Sequence, residues 1–191
     1  MIRVKLIKVD THMKFIPLIL LSLLPYSLIA ESGEWFVGLE AGATGATLSE
    51  TESTENIERG YGVEYGAKVG LREGNGRIYL GVTSANDIGS TISSTINPYI
   101  ALEGVSNEFK VISKSTAKFF FGARFGASIA DGNTTSTTAG LAGLQTGLIF
   151  LLPADLEIEL AYRHYWTFRN SETDFNAGAA YGGLNYKFGE Y

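Results

Sequence analysis

The sequence contains no cysteine, which removes disulfide cross-links, thiolate metal sites and cysteine nucleophiles together. Histidine is almost as scarce: of the 2 present, His12 falls in an N-terminal stretch read below as removable, leaving His164. No cluster of histidine and carboxylate residues has metal-ligand spacing, so no metal or other cofactor is expected. Proline numbers 4, two of them (Pro17 and Pro25) in the same N-terminal stretch. Beyond residue 30 there is no long apolar run and no sustained helical periodicity, which excludes a membrane-spanning helix and a helix-rich domain. Basic residues are also few. With residues 1–30 set aside, 11 basic and 19 acidic residues remain, a net charge of −8 that argues against a nucleic-acid partner.

What is abundant points one way. The 191 residues leave room for one domain of ordinary size, and a hydrophobic fraction of 45% is too high for a disordered chain. The 23 glycines and 23 aromatic residues suit closely packed strands far better than helices. The only concentrated apolar segment is Phe15 to Ile29, preceded by Lys14 and followed by the small residue Ala30. That order of charge, apolar run and small residue is the pattern of a cleavable secretion signal. Residues 1–30 are therefore expected to be a signal peptide, with Met13 as a candidate true start, and residues 31–191 the folded domain. The absence of a cysteine after the cut excludes a lipoprotein anchor.

From Trp35 onward eight stretches alternate apolar and polar residues with period two: 35–48, 61–72, 77–85, 96–109, 118–130, 139–152, 156–168 and 176–188. Successive side chains of a strand point to opposite faces. In 156–168, Leu156, Ile158, Leu160, Tyr162, His164, Trp166 and Phe168 share one face, while Glu157, Glu159, Arg163 and Tyr165 share the other. In 118–130, Phe119, Phe121 and Phe125 oppose Lys118, Phe120 and Arg124. The fourth stretch is less regular, because Pro98 removes a ladder hydrogen bond unless it sits at a rim or bulge. Connections after the second, fourth and sixth stretches are short, with the fourth placed near 110–117, and the others are longer and polar. Strands of this length with short turns on one rim and long loops on the other match a transmembrane barrel.

Alternation alone also fits a soluble barrel, and Gly33-x-Trp35 mimics a motif of the lipocalins. The polar face decides between them. It places glycine beside Glu, Lys and Arg at nearly every other position, as a narrow, filled lumen requires, whereas a water-facing surface has no need of small residues. The lumen is expected to hold Glu40, Glu64, Glu103, Glu157 and Glu159 against Lys68, Arg72, Arg77, Lys118, Arg124, Arg163 and Lys187, paired across strands into a plug. Trp35, Tyr61, Tyr162, Trp166 and Phe168 are assigned to an aromatic girdle at the lipid interface. The expected fold is all-β: a closed eight-stranded antiparallel up-and-down transmembrane β-barrel.

With its signal, eight amphipathic strands, alternating connections and aromatic-rich end, Tyr181 to Phe188, the chain resembles the small eight-stranded outer-membrane barrel proteins of the OmpA and OmpX type. The resemblance implies location in the outer membrane of a Gram-negative cell, contact with outer-membrane lipid and lipopolysaccharide, and insertion by the barrel-assembly machinery. It also implies an assembly signal in the last strand, here Leu184, Tyr186 and Phe188; Tyr191 falls out of register unless a bulge intervenes. A monomer is expected. The functional reading is a structural barrel supporting envelope integrity, with surface adhesion through loops such as the acidic segment 49–60. The alternatives are a narrow channel and, more remotely, a lipid A-modifying enzyme using His164 with Ser171 and Glu172. His164 shares the apolar face with Trp166, which favours an interfacial histidine over a catalytic one.

Overall fold

The computed structural model describes residues 33–50, 57–86, 92–112, 115–132, 136–168 and 173–190. The expected signal peptide, residues 51–56 of the acidic segment, Ser171, Glu172 and Tyr191 lie outside the described residues. Within them are nine strands: β1 (Glu34–Glu50), β2 (Ile57–Glu73), β3 (Gly76–Asn86), β4 (Ile92–Val105), β5 (Phe109–Ile112), β6 (Ser115–Gly132), β7 (Ser136–Leu151), β8 (Leu156–Phe168) and β9 (Thr173–Glu190). Eight of them form the barrel wall, each antiparallel to its neighbours in chain order, and β1 pairs with β9 to close the ring. The ninth, β5, is a four-residue strand paired only with the start of β6.

The register fixes the dimensions. The row of paired residues that starts at Phe36 passes through Gly70, Tyr79, Ala101, Arg124, Gly143, Tyr165 and Ala177 and returns to β1 at Ala46, ten residues further on. A stagger of that size over eight strands, with a rise of about 3.3 Å and a strand spacing of about 4.8 Å, tilts the strands by roughly 40° and gives a backbone radius of about 8 Å. An interior of that radius is filled by its own side chains. Inward glycines make this possible: a Cβ on Gly70 would stand 2.3 Å from Cβ of Tyr79, and one on Gly81 would stand 2.4 Å from the Tyr99 ring.

The turns explain the strand ends. Gly74, with φ of +52°, is the first central residue of the two-residue β2–β3 hairpin loop, where a left-handed residue matches the strand twist. Ala154 and Asp155 adopt φ of 62° and 58° in the β7–β8 turn. The fourth strand differs from the sequence expectation: β4 covers 92–105, not 96–109. The chain leaves the wall after Val105 because its amide donates to the Asn75 carbonyl, and Ser106 is held by Phe119, whose carbonyl accepts from the Ser106 amide and whose amide donates to Ser106 Oγ. Residues 109–112 then fold back as β5, so this connection is a small hairpin and not a tight turn. Pro98 sits within β4, in register with Val82 of β3. On the β6 side the paired row is interrupted between Ile96 and Tyr99 without a change of register.

Candidate functional site: the charged lumen

The alternating pattern sorts the side chains as a barrel in lipid requires. Large apolar residues such as Leu39, Val63, Leu80, Phe121, Leu160 and Phe168 face outward with more than a third of their surface exposed. Five acids (Glu40, Glu64, Glu103, Glu157, Glu159) and five bases (Lys68, Arg72, Arg77, Arg124, Arg163) are buried inside. Charge is balanced among these ten, and the balance holds separately in two tiers.

The tier nearer the short turns is tightly cross-linked. Arg72 Nη1 donates to Glu157 at 2.5 Å, and Arg77 bridges Glu103, through Nε at 2.6 Å, and Glu159, through Nη1 at 2.6 Å. Arg77 Nη2 is also ion-paired with Glu103. Lys68 Nζ donates to Glu159 at 2.5 Å, and Asn185 Nδ2 donates to the same carboxylate at 2.8 Å. Tyr79 Oη and Gln145 Nε2 each donate to Glu103 at 2.6 Å. Pairing and hydrogen bonding of this kind offset the cost of burying charge. Phe36 and Phe120 add apolar bulk, each within 5.5 Å of the Arg77 guanidinium carbon.

The tier nearer the long loops holds Glu40, Glu64, Arg124 and Arg163. Arg163 reaches Glu40 at 2.7 Å and Glu64 at 2.5 Å and stacks over Tyr181 at 4.0 Å. Arg124 stacks over Tyr99 at 3.7 Å. Glu157 pairs with Arg72 of β2, on the opposite tier from Arg124.

Two residues expected in the lumen network stand elsewhere. Lys118 is partly exposed and pairs with Glu108 at 3.3 Å, and Lys187 pairs with Glu34 at 3.3 Å. Both carry the inward parity, but each lies three residues from the turn-side end of its strand, where a long side chain reaches water. Tyr162 also departs from its expected place. It is outward-facing but sits at the middle of β8, six residues from either end, with its hydroxyl beside Gly178 of β9, so it fills the gap beside a glycine and does not mark an interface. The other girdle residues stand outward near strand ends: Trp35 at the turn side, Tyr61, Trp166 and Phe168 at the loop side. His164 makes an edge contact with Trp166 at 4.7 Å on the outer surface. Among the described residues no group of acids and histidines could hold a metal ion.

In β9, Leu184, Tyr186 and Phe188 face outward, with the last two rings stacked at 6.3 Å. Gly189 has φ of +64°, and the β1 register shifts by one residue at this point, so a bulge does intervene before the chain end. Sequence reasoning did not single out Gln145, Asn185, Tyr79, Tyr99 or Tyr181. All five share the inward parity, which was the available signal, but neutral side chains carry no charge to draw attention to it.

No protein-family model and no curated protein matches the sequence. Among solved structures, Neisserial surface protein A matches with a TM-score of 0.55 at 14% identity, over 80% of this chain and 97% of that one. The fold is that of the small eight-stranded outer-membrane barrels. Two further such barrels match with lower scores: OprH from P. aeruginosa (TM-score 0.47, 22% identity, 81% of this chain and 99% of that one) and Ail of Yersinia pestis (0.35, 12%, 80% and 99%). At these identities the likeness is one of fold.

Proposed function

We propose that this small outer-membrane barrel is a sealed structural protein that supports the integrity of the outer membrane and presents its long loops at the cell surface. The observation that carries the reading is the lower lumen tier. Arg72, Arg77, Lys68 and their three carboxylates are all buried to within a few per cent and bonded to one another across the axis. An ion entering from the turn side would have to break several charge-assisted hydrogen bonds in a space of low dielectric. An apolar outer face supports residence among outer-membrane lipid and lipopolysaccharide, and the outward aromatic end of β9 supports delivery by the barrel-assembly machinery. A monomer is consistent with a wall in which every strand has two neighbours. Surface adhesion through the loops belongs to the same reading.

Cell fractionation with gel mobility before and after heating tests location and barrel together: recovery in the outer membrane with a temperature-dependent band shift is the expected result. Planar-bilayer recording on refolded protein tests the seal. The expected trace is flat, and a steady open conductance would favour the narrow-channel reading.

A further inference from the structure

The outer wall carries a pair of polar side chains that the protein itself does not satisfy. His164 and Tyr162 of β8 face outward, and their polar atoms converge over Gly178 of β9: a Cβ built there would stand 2.4 Å from Tyr162 Oη and 3.5 Å from His164 Nδ1. Neither side chain makes a hydrogen bond among the described residues. Other outward polar groups are held by the protein, since Thr146 Oγ1 donates to the Phe120 carbonyl at 3.0 Å and Asn86 Nδ2 to Tyr65 Oη at 3.5 Å. Two residues of a tilted strand separate His164 from the interfacial Trp166, a descent of about 5 Å, and Tyr162 lies as far again below. At that depth there is no water to complete the hydrogen bonds, and an intramembrane histidine calls for a partner.

Beside this pair the wall is hollowed. Three successive outward pairs across the β1–β9 seam are glycine or alanine: Gly45 with Gly178, Ala43 with Ala180, and Ala41 with Gly182. The register sets Leu160, Tyr162 and His164 along one side of this floor and Tyr61, Val63 and Tyr65 along the other. The Tyr61 ring leans to 3.4 Å from a Cβ built on Gly45, which narrows the upper end. Leu39 and Leu184, opposite one another, block the turn-side end, while the next outward pair towards the loops, Thr47 and Asn176, is polar. With a floor about 13 Å long, the trough has the form of one extended hydrocarbon chain, closed below and open towards the headgroups.

We propose that this trough binds a single acyl chain of a lipid in the loop-side leaflet, a chain bearing a hydroxyl group that hydrogen-bonds to His164 and Tyr162. The proposal rests on the reading of the outer wall as lipid-facing. A hydroxyl both donates and accepts, as the phenol and imidazole do, so one group satisfies the pair. The ester carbonyl of such a lipid belongs at the level of the Trp166 ring, above the pair, and a plain chain leaves both polar atoms bare.

His164 is the one histidine beyond the expected signal peptide, so 15N-histidine labelling gives a single imidazole to follow. Protein purified from expressing cells in detergent micelles is titrated with β-hydroxytetradecanoic acid or with tetradecanoic acid. The imidazole signal should shift saturably, with the hydroxy acid acting at roughly five- to tenfold lower concentration, the worth of one hydrogen bond. By calorimetry, Gly45→Leu, which fills the floor opposite Gly178, should weaken binding of both acids, and His164→Phe should bind the two alike. Gel mobility before and after heating shows that each sample is a folded barrel, so a failed titration counts against the site and not against the barrel. An equal response to the two acids, no saturable response, or unchanged binding in a folded Gly45→Leu would overturn the proposal. So would a shift that follows protein concentration instead of acid, which would place a second copy on this face. Should Gly45→Leu fail to fold, the wild-type comparison of the two acids decides alone.

Discussion

Glu159 is hydrogen-bonded to two buried cations, and its removal provides a sharp test of the network. It accepts from Lys68 at 2.5 Å, Arg77 at 2.6 Å and Asn185 at 2.8 Å, with no exposed surface. In Glu159→Met, Arg77 keeps Glu103, but the nearest remaining acid to Lys68 is Glu40 at 3.9 Å. One buried cation is thus left uncompensated, and breaking a buried pair in this manner costs about 3–5 kcal/mol. Against a total stability of about 5–15 kcal/mol this is severe without abolishing the fold. Lys68→Met strands less, because Glu159 keeps Arg77 and Asn185, so its cost should be the smaller of the two. The double variant removes both charges and replaces them with apolar groups of similar volume, an exchange that is often close to neutral. It should therefore be more stable than Glu159→Met alone. Urea unfolding of refolded protein, followed by tryptophan fluorescence and by gel mobility, gives the four free energies of the cycle. If the two losses simply add, the cation left in Glu159→Met is not stranded and the reasoning fails.

Gly70→Val should prevent barrel formation or destabilise it by more than about 3 kcal/mol, since overpacking at a Cβ site 2.3 Å from Tyr79 cannot be relieved by a side chain alone; Gly140→Ala, with its nearest atom at 3.7 Å, should be close to neutral in the same urea assay. Lys118→Ala and Lys187→Ala should each change stability by less than about 1 kcal/mol, because their ion pairs are partly exposed; a loss as large as that of Glu159→Met would return these lysines to the network. Gly189→Val forces a branched residue into φ of +64°, costing about 1–2 kcal/mol locally, and a reduced yield of heat-modifiable barrel in cells would register it. Trp166→Ala should shift the His164 side-chain NMR signals through loss of the ring contact at 4.7 Å while leaving gel mobility unchanged.

Strand existence and facing were legible wherever alternation was strict. The bounds of β8 agree with the sequence expectation because Pro153 and Asp155 punctuate its start and every second residue from Leu156 to Phe168 is aliphatic or aromatic. β4 was misplaced because Ser106 to Glu108 carry no glycine or proline to announce a turn; what ends the strand is a set of bonds to Asn75 and Phe119, distant in sequence and invisible to a local pattern. Parity tells which face a residue takes but not its depth. This is why Lys118 and Lys187 were counted with the lumen and Tyr162 with the interface. Partner choice was likewise out of reach, since it depends on the stagger around the ring: Glu157 meets Arg72 of β2, and no spacing in the sequence relates those two positions.

The pairing of β1 with β9 has a consequence for how the protein comes to exist. Glu40 and Arg163, joined at 2.7 Å, are 123 residues apart, and Lys68 and Glu159 are 91 apart. Neither bond can form until β8 has arrived; the β3–β4 hairpin brings Arg77 to Glu103 early, but Glu40 of β1 and Lys68 of β2 wait for their partners until then. Loop-closure entropy is spent before the long-range contacts repay it. Folding should then be slow and nearly all-or-none, with the final seam as the step that commits the chain, and a polypeptide truncated before β9 should accumulate no partial barrel.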